Sequence, residues 1–147
     1  MTIVWRHRSL DRGSASIEMA VLMPALIAVF VMQMIAGRTN LARQSIEAAA
    51  FDAARTASLA RDGATAQLRA RTAAADTLAA QGLNCTSLIV VVDTSGFAVP
   101  VGQPATVTAT VTCHADFSDI ALAGMPGGAT YTASFVSPLD QFRARAP

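Results

Sequence analysis

Lysine is absent from this 147-residue chain, and all 11 of its basic residues are arginines. They run from Arg6 to Arg145 without gathering into a basic face, and 10 acidic residues reduce the formal net charge to +1. Binding a polyanion requires concentrated positive potential, so nucleic acid is not expected as a direct partner. Aromatic residues make up only 5% of the chain, which limits the core it can pack. Histidine and cysteine are equally scarce: His7, His114, Cys85 and Cys113. One His beside one Cys falls short of the roughly four ligands of a structural metal site, so neither metal nor cofactor is expected. A phosphate-cradling glycine loop, a nucleophile elbow and a Ser/His/Asp arrangement are also missing. Asp116 and Asp119 read as solvated loop charges, and no enzymatic activity is expected. Asn84-Cys85-Thr86 has the form of a glycosylation sequon but reads as chance.

Apolar residues are abundant, at 52% of the chain, and they are concentrated near its start. Met19 to Ala36 carries no charge, and its one polar residue is Gln33. Extended by Ile17 and Gly37, this run is long enough to span a hydrocarbon core of about 30 Å. Arg6, Arg8 and Arg12 precede it against a single Asp11, and Arg38 and Arg43 follow. A basic excess in the short leading segment predicts a cytoplasmic N-terminus and an exported C-terminus in a single-pass cell-membrane protein. A core helix apolar all round is one alternative, but a chain this short has little core to hide it. A cleavable secretory signal is another, and it fits poorly because Met34 stands where a small residue is needed before Ala36.

Glu18 is the anomaly of this segment. A carboxylate at the centre of a membrane helix costs roughly 2.5 to 3.5 kcal/mol, and less near the interface, so such residues usually have a partner or a function. Reaching the headgroups is the simpler reading. However, Gly13 stands five residues earlier, after Arg12. Arg12-Gly13-Ser14-Ala15-Ser16-Ile17-Glu18 resembles the processing region of type IV prepilins. That resemblance implies cleavage after Gly13 by a prepilin peptidase on the cytoplasmic side, with Ser14 as the new N-terminus and Glu18 fifth in the mature chain. The new α-amine and the Glu18 carboxylate would attract strongly in a low-dielectric setting and offset each other's burial. Such a pair can set the register of one subunit against the next.

The block from Arg12 to Phe30, with Pro24 inside its apolar run, is similar to the signature of TadE-like pilus-assembly proteins of tight-adherence (Flp) systems. The rest of the chain follows the layout of small TadE-like proteins: an Ala/Arg-rich helix, two widely spaced cysteines, Thr/Val strands, and a closing stretch from Thr132 to Arg143. Met19 departs from the Tyr that major Flp pilins carry after the Glu. With the chain length, that departure implies a minor pseudopilin, whose partners would be the membrane, the peptidase and other pilin-like subunits. The alternative is a signal-anchored exported binding module in which the spacing of Gly13 and Glu18 is accidental.

Beyond the apolar run, Ala42, Ile46, Ala49, Ala53, Ala57, Ala60 and Ala64 recur at steps of three or four. This seam predicts that the helix continues; unbroken from Ala15 to Arg61, it would be about 70 Å long. Asp62-Gly63 interrupts the pattern, and a second helix from Ala64 to Gln81 is expected to end at Gly82. The C-terminal half is richer in β-branched residues. Leu88 to Val92 reads as a buried strand, Thr106 to Cys113 alternates cleanly, and Thr130 to Val136 forms a third strand. Asp116 to Gly128 reads as a loop or a single helical turn. The fold class is therefore α+β: a long transmembrane helix continuing into an exported domain with a second helix and a small antiparallel three-stranded sheet. Four regions are expected: a basic leader (1–13), a transmembrane helix (14–37), an Ala/Arg-rich helical stalk (38–82) and an extracytoplasmic β-rich domain (83–147). Cys85 at a helix-to-strand junction and Cys113 on the inward set predict a disulfide, contributing roughly 3 to 4 kcal/mol. Two unpaired buried thiols are the alternative.

Overall fold

A computed structural model of the chain describes residues 12–116 and 128–144, with side chains from Ile17 onwards. The expected leader and most of the expected Asp116 to Gly128 loop, Asp119 included, lie outside the described residues. The elements, in chain order, are helix α1 (Arg12–Ser58), helix α2 (Gly63–Ala80), strand β1 (Cys85–Asp93), a 3-10 turn (Ser95–Ala98), strand β2 (Thr106–Asp116) and strand β3 (Gly128–Pro138). The strands form one antiparallel sheet in the order β1-β2-β3. The α+β class read from the sequence is the observed one. The described residues fall into two compact units, one up to Thr39 and one from Asn40.

The second unit is built on alanine. Along α1 the buried residues are Ala42, Ser45, Ile46, Ala49, Ala50, Ala53, Ala54 and Ala57. This stripe is wider than the expected seam because Ala50 and Ala54 join it. Ser45 is the polar member, and its hydroxyl donates to the Leu41 carbonyl at 2.9 Å. Helix α2 buries a strict i+4 row, Ala66, Ala70, Ala74 and Leu78. Methyl-sized side chains let backbones approach closely, so two Ala-lined helices can share a core with a sheet. Ala64, placed on the seam by periodicity, is instead exposed in the first turn of α2.

Chain reversal between the helices is short, because α1 ends at Ser58 and α2 starts at Gly63. Asp62 does more than break the pattern. Its extended backbone and its carboxylate cap α2, accepting from the Thr65 amide at 2.7 Å and the Thr65 hydroxyl at 2.9 Å. An N-cap side chain of this kind satisfies a donor that has no partner within the helix. The Thr77 hydroxyl donates to Asp52 at 2.8 Å, fixing the two helices as an antiparallel hairpin.

The hairpin lies against one face of the sheet. Register and period-2 alternation place Leu88, Val90 and Val92 on that face with Val107, Ala109, Val111, Cys113 and Ala115, followed by Tyr131, Ala133, Phe135 and Ser137. All five β2 members are fully buried. The run Leu88 to Val92 is not buried on both sides as its composition suggests: Ile89 and Val91 are 57% and 58% exposed on the far face. Helices cover only one side of this sheet, so a continuous apolar run presents half its side chains outward. Val136 and His114 share that outer face with a set of hydroxyls. Thr110 pairs with Ser134 at 2.7 Å, Thr112 with Thr132 at 3.1 Å, and Thr130 with His114 Nδ1 at 2.9 Å.

The 3-10 turn after β1 was not legible in the sequence, yet it supplies Phe97, the largest fully buried side chain. Gly96 is required there, because a Cβ at that position would overlap the Thr106 carbonyl oxygen. The expected disulfide is present. Cys85 and Cys113 are joined across β1 and β2 with a Cα–Cα distance of 5.5 Å, which excludes the free-thiol alternative.

Candidate functional site: the N-terminal helix and its first turns

Among the described residues, the first unit offers no core of its own. From Ile17 to Met34, eleven large apolar side chains of α1 are 53 to 71% exposed, among them Leu22, Leu26, Ile27, Phe30 and Met32. Leaving them in water forfeits on the order of 10 kcal/mol, taking about 1 kcal/mol for each half-exposed side chain. A whole domain of this size has a net stability of about 5 to 15 kcal/mol. The helix is long and apolar enough to cross a membrane, and no part of its most apolar 18-residue window is buried within the protein. Polypeptide crossing a bilayer must satisfy its backbone internally, which a helix does. Pro24 lies inside α1 without ending it, as membrane helices allow.

Helix α1 is described from Arg12 onwards, so the backbone from Gly13 to Glu18 is helical. Ser14 and Glu18 are therefore one turn apart at i and i+4, on the same side of the helix. Gly13 and Ser14 lie at the very start of this turn, and the Glu18 side chain is exposed on it. An α-amine created at Ser14 would lie within one helical turn of the Glu18 carboxylate. The sequence singles out these three residues by their spacing and by the prepilin resemblance; on the helix Ser14 and Glu18 share a face, and Gly13 does not.

Elsewhere, the described residues hold no group of three or more His, Cys, Asp or Glu side chains placed to bind a metal ion. Both cysteines are consumed by the disulfide, and His114 lies on the exposed sheet face beside Thr130. Two carboxyls are held below the ordinary aspartate range by local hydrogen bonds. Asp62 receives the backbone amide and then the hydroxyl of Thr65, and Asp93 receives the amide and then the hydroxyl of Ser95. Both mark turns that start or follow elements. A polar hollow of about 380 Å³ is lined by Arg61, Asp62, Thr65, Arg69 and Arg143. Its carboxylate is already the α2 cap, and the Arg143 guanidinium donates to the Leu59 carbonyl at 2.8 Å.

Comparison with known proteins isolates the N-terminal part of the chain. Residues 13–55 match the family model described as TadE-like protein, a stretch that starts at Gly13 and takes in the apolar helix and most of the Ala stripe. No curated protein and no solved structure matches the chain. From Gly13 to Arg55, the chain is similar to the TadE-like family.

Proposed function

We propose that this chain is a minor pilin-like subunit of a tight-adherence pilus assembly, held in the membrane by α1 and processed after Gly13 before it assembles. The observation carrying this reading is that the TadE-like match begins at Gly13, the residue after which cleavage is proposed, with Ser14 and Glu18 at i and i+4 on helical backbone just beyond it. In this reading the basic leader stays in the cytoplasm and the disulfide-bonded unit is exported, in keeping with disulfide formation in an oxidising compartment. The partners are the membrane, a prepilin peptidase and neighbouring pilin-like subunits.

The mechanism is one of storage and transfer. Before assembly, lipid covers the apolar surface of α1. In a fibre, the same surface packs against equivalent helices of other subunits. The Ser14 amine and the Glu18 carboxylate provide a charge pair that is favourable only when both are present and desolvated together. Replacing Gly13 with a bulky residue tests the reading. Co-expressed with its peptidase, the wild-type chain is expected to lose its leader and Gly13→Leu to keep it. Equal mobility of the two on a denaturing gel would favour the plain signal-anchored binding module.

A further inference from the structure

The two edges of the sheet are treated differently. At the β1 edge, the Gln67 side chain acts as a substitute strand: its amide nitrogen donates to the Val90 carbonyl at 2.7 Å, and its amide oxygen accepts from the Val92 amide at 2.9 Å. Those bonds also fix the hydrogen-bonding phase of the sheet. If Val90 and Val92 point their backbone groups away from β2, then Ile89, Val91 and Asp93 bond to it through Thr112, Thr110 and Thr108. By alternation, Val107, Ala109, Val111 and Cys113 bond to Ser137, Phe135, Ala133 and Tyr131 on β3. The backbone groups of Thr130, Thr132, Ser134 and Val136 therefore point outward along the far edge.

Among the described residues, that far edge has none of the usual protections. β3 is 11 residues long, pairs with β2 without a bulge, carries no charge, and has its one proline at its last position. Natural sheets blunt edges of this length with lysine, internal proline, bulges or a covering element. Burial repeats the asymmetry. On the helix-facing side Val90 and Val92 of β1 are 7% and 8% exposed, whereas Phe135 of β3 is 40% exposed. Phe135 stacks edge-on against Phe51 of α1, itself 41% exposed, with ring centroids 4.8 Å apart. An unpaired backbone edge thus runs above an aromatic ledge and beside a row of hydroxyls.

We propose that the β3 edge is a docking site for an added β-strand from another protein, an uncharged segment alternating small apolar residues with threonine or serine. The alternation follows from the two flanks: apolar side chains would meet Phe51 and Phe135, and hydroxyls would continue the row of Thr130, Thr132 and Ser134. β2 already satisfies these requirements on the other side of β3, with Val107, Ala109 and Val111 facing the helices and Thr108, Thr110 and Thr112 facing out. A second copy of this chain does not fit. Its β1 edge is occupied by Gln67, and antiparallel β3-to-β3 pairing needs a two-fold axis normal to the sheet. In this unit α1 runs in the same sense as β3, since Phe51 meets Phe135 and Ser58 meets Ser137. The two-fold would put the Asn40 ends of the two helices at opposite ends, whereas copies tethered through Asn40 to one membrane need them at the same end. This last step alone rests on the membrane-anchored reading.

Strand addition to an exposed edge gains affinity from main-chain hydrogen bonds and specificity from alternate side chains. The test uses the full chain in detergent micelles and the synthetic heptapeptide Thr-Val-Thr-Ala-Thr-Val-Thr, which has the sequence of residues 106–112. The peptide is expected to slow amide exchange at Thr130, Thr132, Ser134 and Val136 and to leave Val90 and Val92 unchanged. Thr132→Pro removes an outward amide that β2 does not use, so the fold should persist as edge prolines allow. Ser134→Lys adds the usual edge guard and serves as a second variant should the proline perturb the strand. Each is expected to weaken peptide binding by about tenfold or more. Absence of binding to the wild type, or binding that neither variant weakens, would overturn the proposal. Concentration-dependent dimers that protect the same four amides without peptide would overturn it in favour of a second copy. None of these readouts depends on whether the chain is cut after Gly13.

Discussion

Gln67 is a single half-buried residue of α2 on which the β1 edge depends, and its replacement gives a graded test of how the helical hairpin holds the sheet. Its side chain makes two neutral hydrogen bonds to β1 backbone, at 2.7 and 2.9 Å, in a half-buried setting. Each bond contributes about 1 kcal/mol net, and water can reach part of the vacated edge, so Gln67→Ala should cost about 1 to 2 kcal/mol. For a unit of this size the unfolding midpoint should fall by about 4 to 8 °C for each kcal/mol lost. Gln67→Glu is more informative. At neutral pH a carboxylate can still accept from the Val92 amide, but it sets an anionic oxygen against the Val90 carbonyl, so it should destabilise more than Gln67→Ala. The protonated acid can donate to that carbonyl, so the fold favours the neutral form and raises the pKa of the introduced carboxyl. The stabilising effect of that proton is present below the unfolded carboxyl range of about 4.3 and is lost as pH rises through the raised folded value. The stability gap between Gln67→Glu and wild type should therefore narrow between pH 7 and pH 4. Urea titration at both pH values, with hydrogen exchange at Val92, measures it. A glutamate variant as stable as wild type at pH 7, with Val92 still protected, would refute the edge-cap account.

Three other outcomes follow from the packing. Reducing Cys85–Cys113, whose partners are 28 residues apart, should lower stability by about 3.5 kcal/mol on the chain-entropy estimate, as read from urea midpoints with and without a thiol reductant. Gly96→Ala pushes a methyl into the Thr106 carbonyl and should cost about 1 to 3 kcal/mol as an overpacked site, with Phe97 losing its protection from quenching. The lowered pKa of Asp62 makes its contribution to folding present above the ordinary aspartate range and lost as pH falls through its depressed folded value. Asp62→Asn removes that titration, so acid unfolding curves of the variant and wild type should converge at low pH; parallel curves would contradict the cap.

What the sequence revealed and what it hid follow physical lines. Period and composition are local, so the apolar run, the Ala seam and the alternating Thr106 to Cys113 strand were all legible. The width of the buried stripe was not, since Ala50 and Ala54 are buried by whatever packs beside them, and alanine is unremarkable on any helix face. Leu88 to Val92 looked doubly buried because composition cannot tell how many layers cover a sheet. Asp62 read as a breaker, although the same residue starts α2 by capping it. Gln67 and Phe97 carried no signal at all, because their roles arise only from residues more than 20 positions away or from a four-residue turn. At the candidate site the spacing of Gly13, Ser14 and Glu18 was readable directly, and the structure adds that this stretch is helical, with Ser14 and Glu18 one turn apart.

The central claim is that this membrane-anchored chain is matured at Gly13 into a pilin-like subunit. Intact mass and N-terminal sequencing of the protein, recovered from membranes of a host with its matching prepilin peptidase, test it most directly. The account predicts a chain beginning at Ser14, with Glu18 fifth. A full-length chain beginning at Met1 would contradict it in favour of an unprocessed anchor, and a chain beginning after Ala36 would contradict it in favour of a conventionally secreted domain.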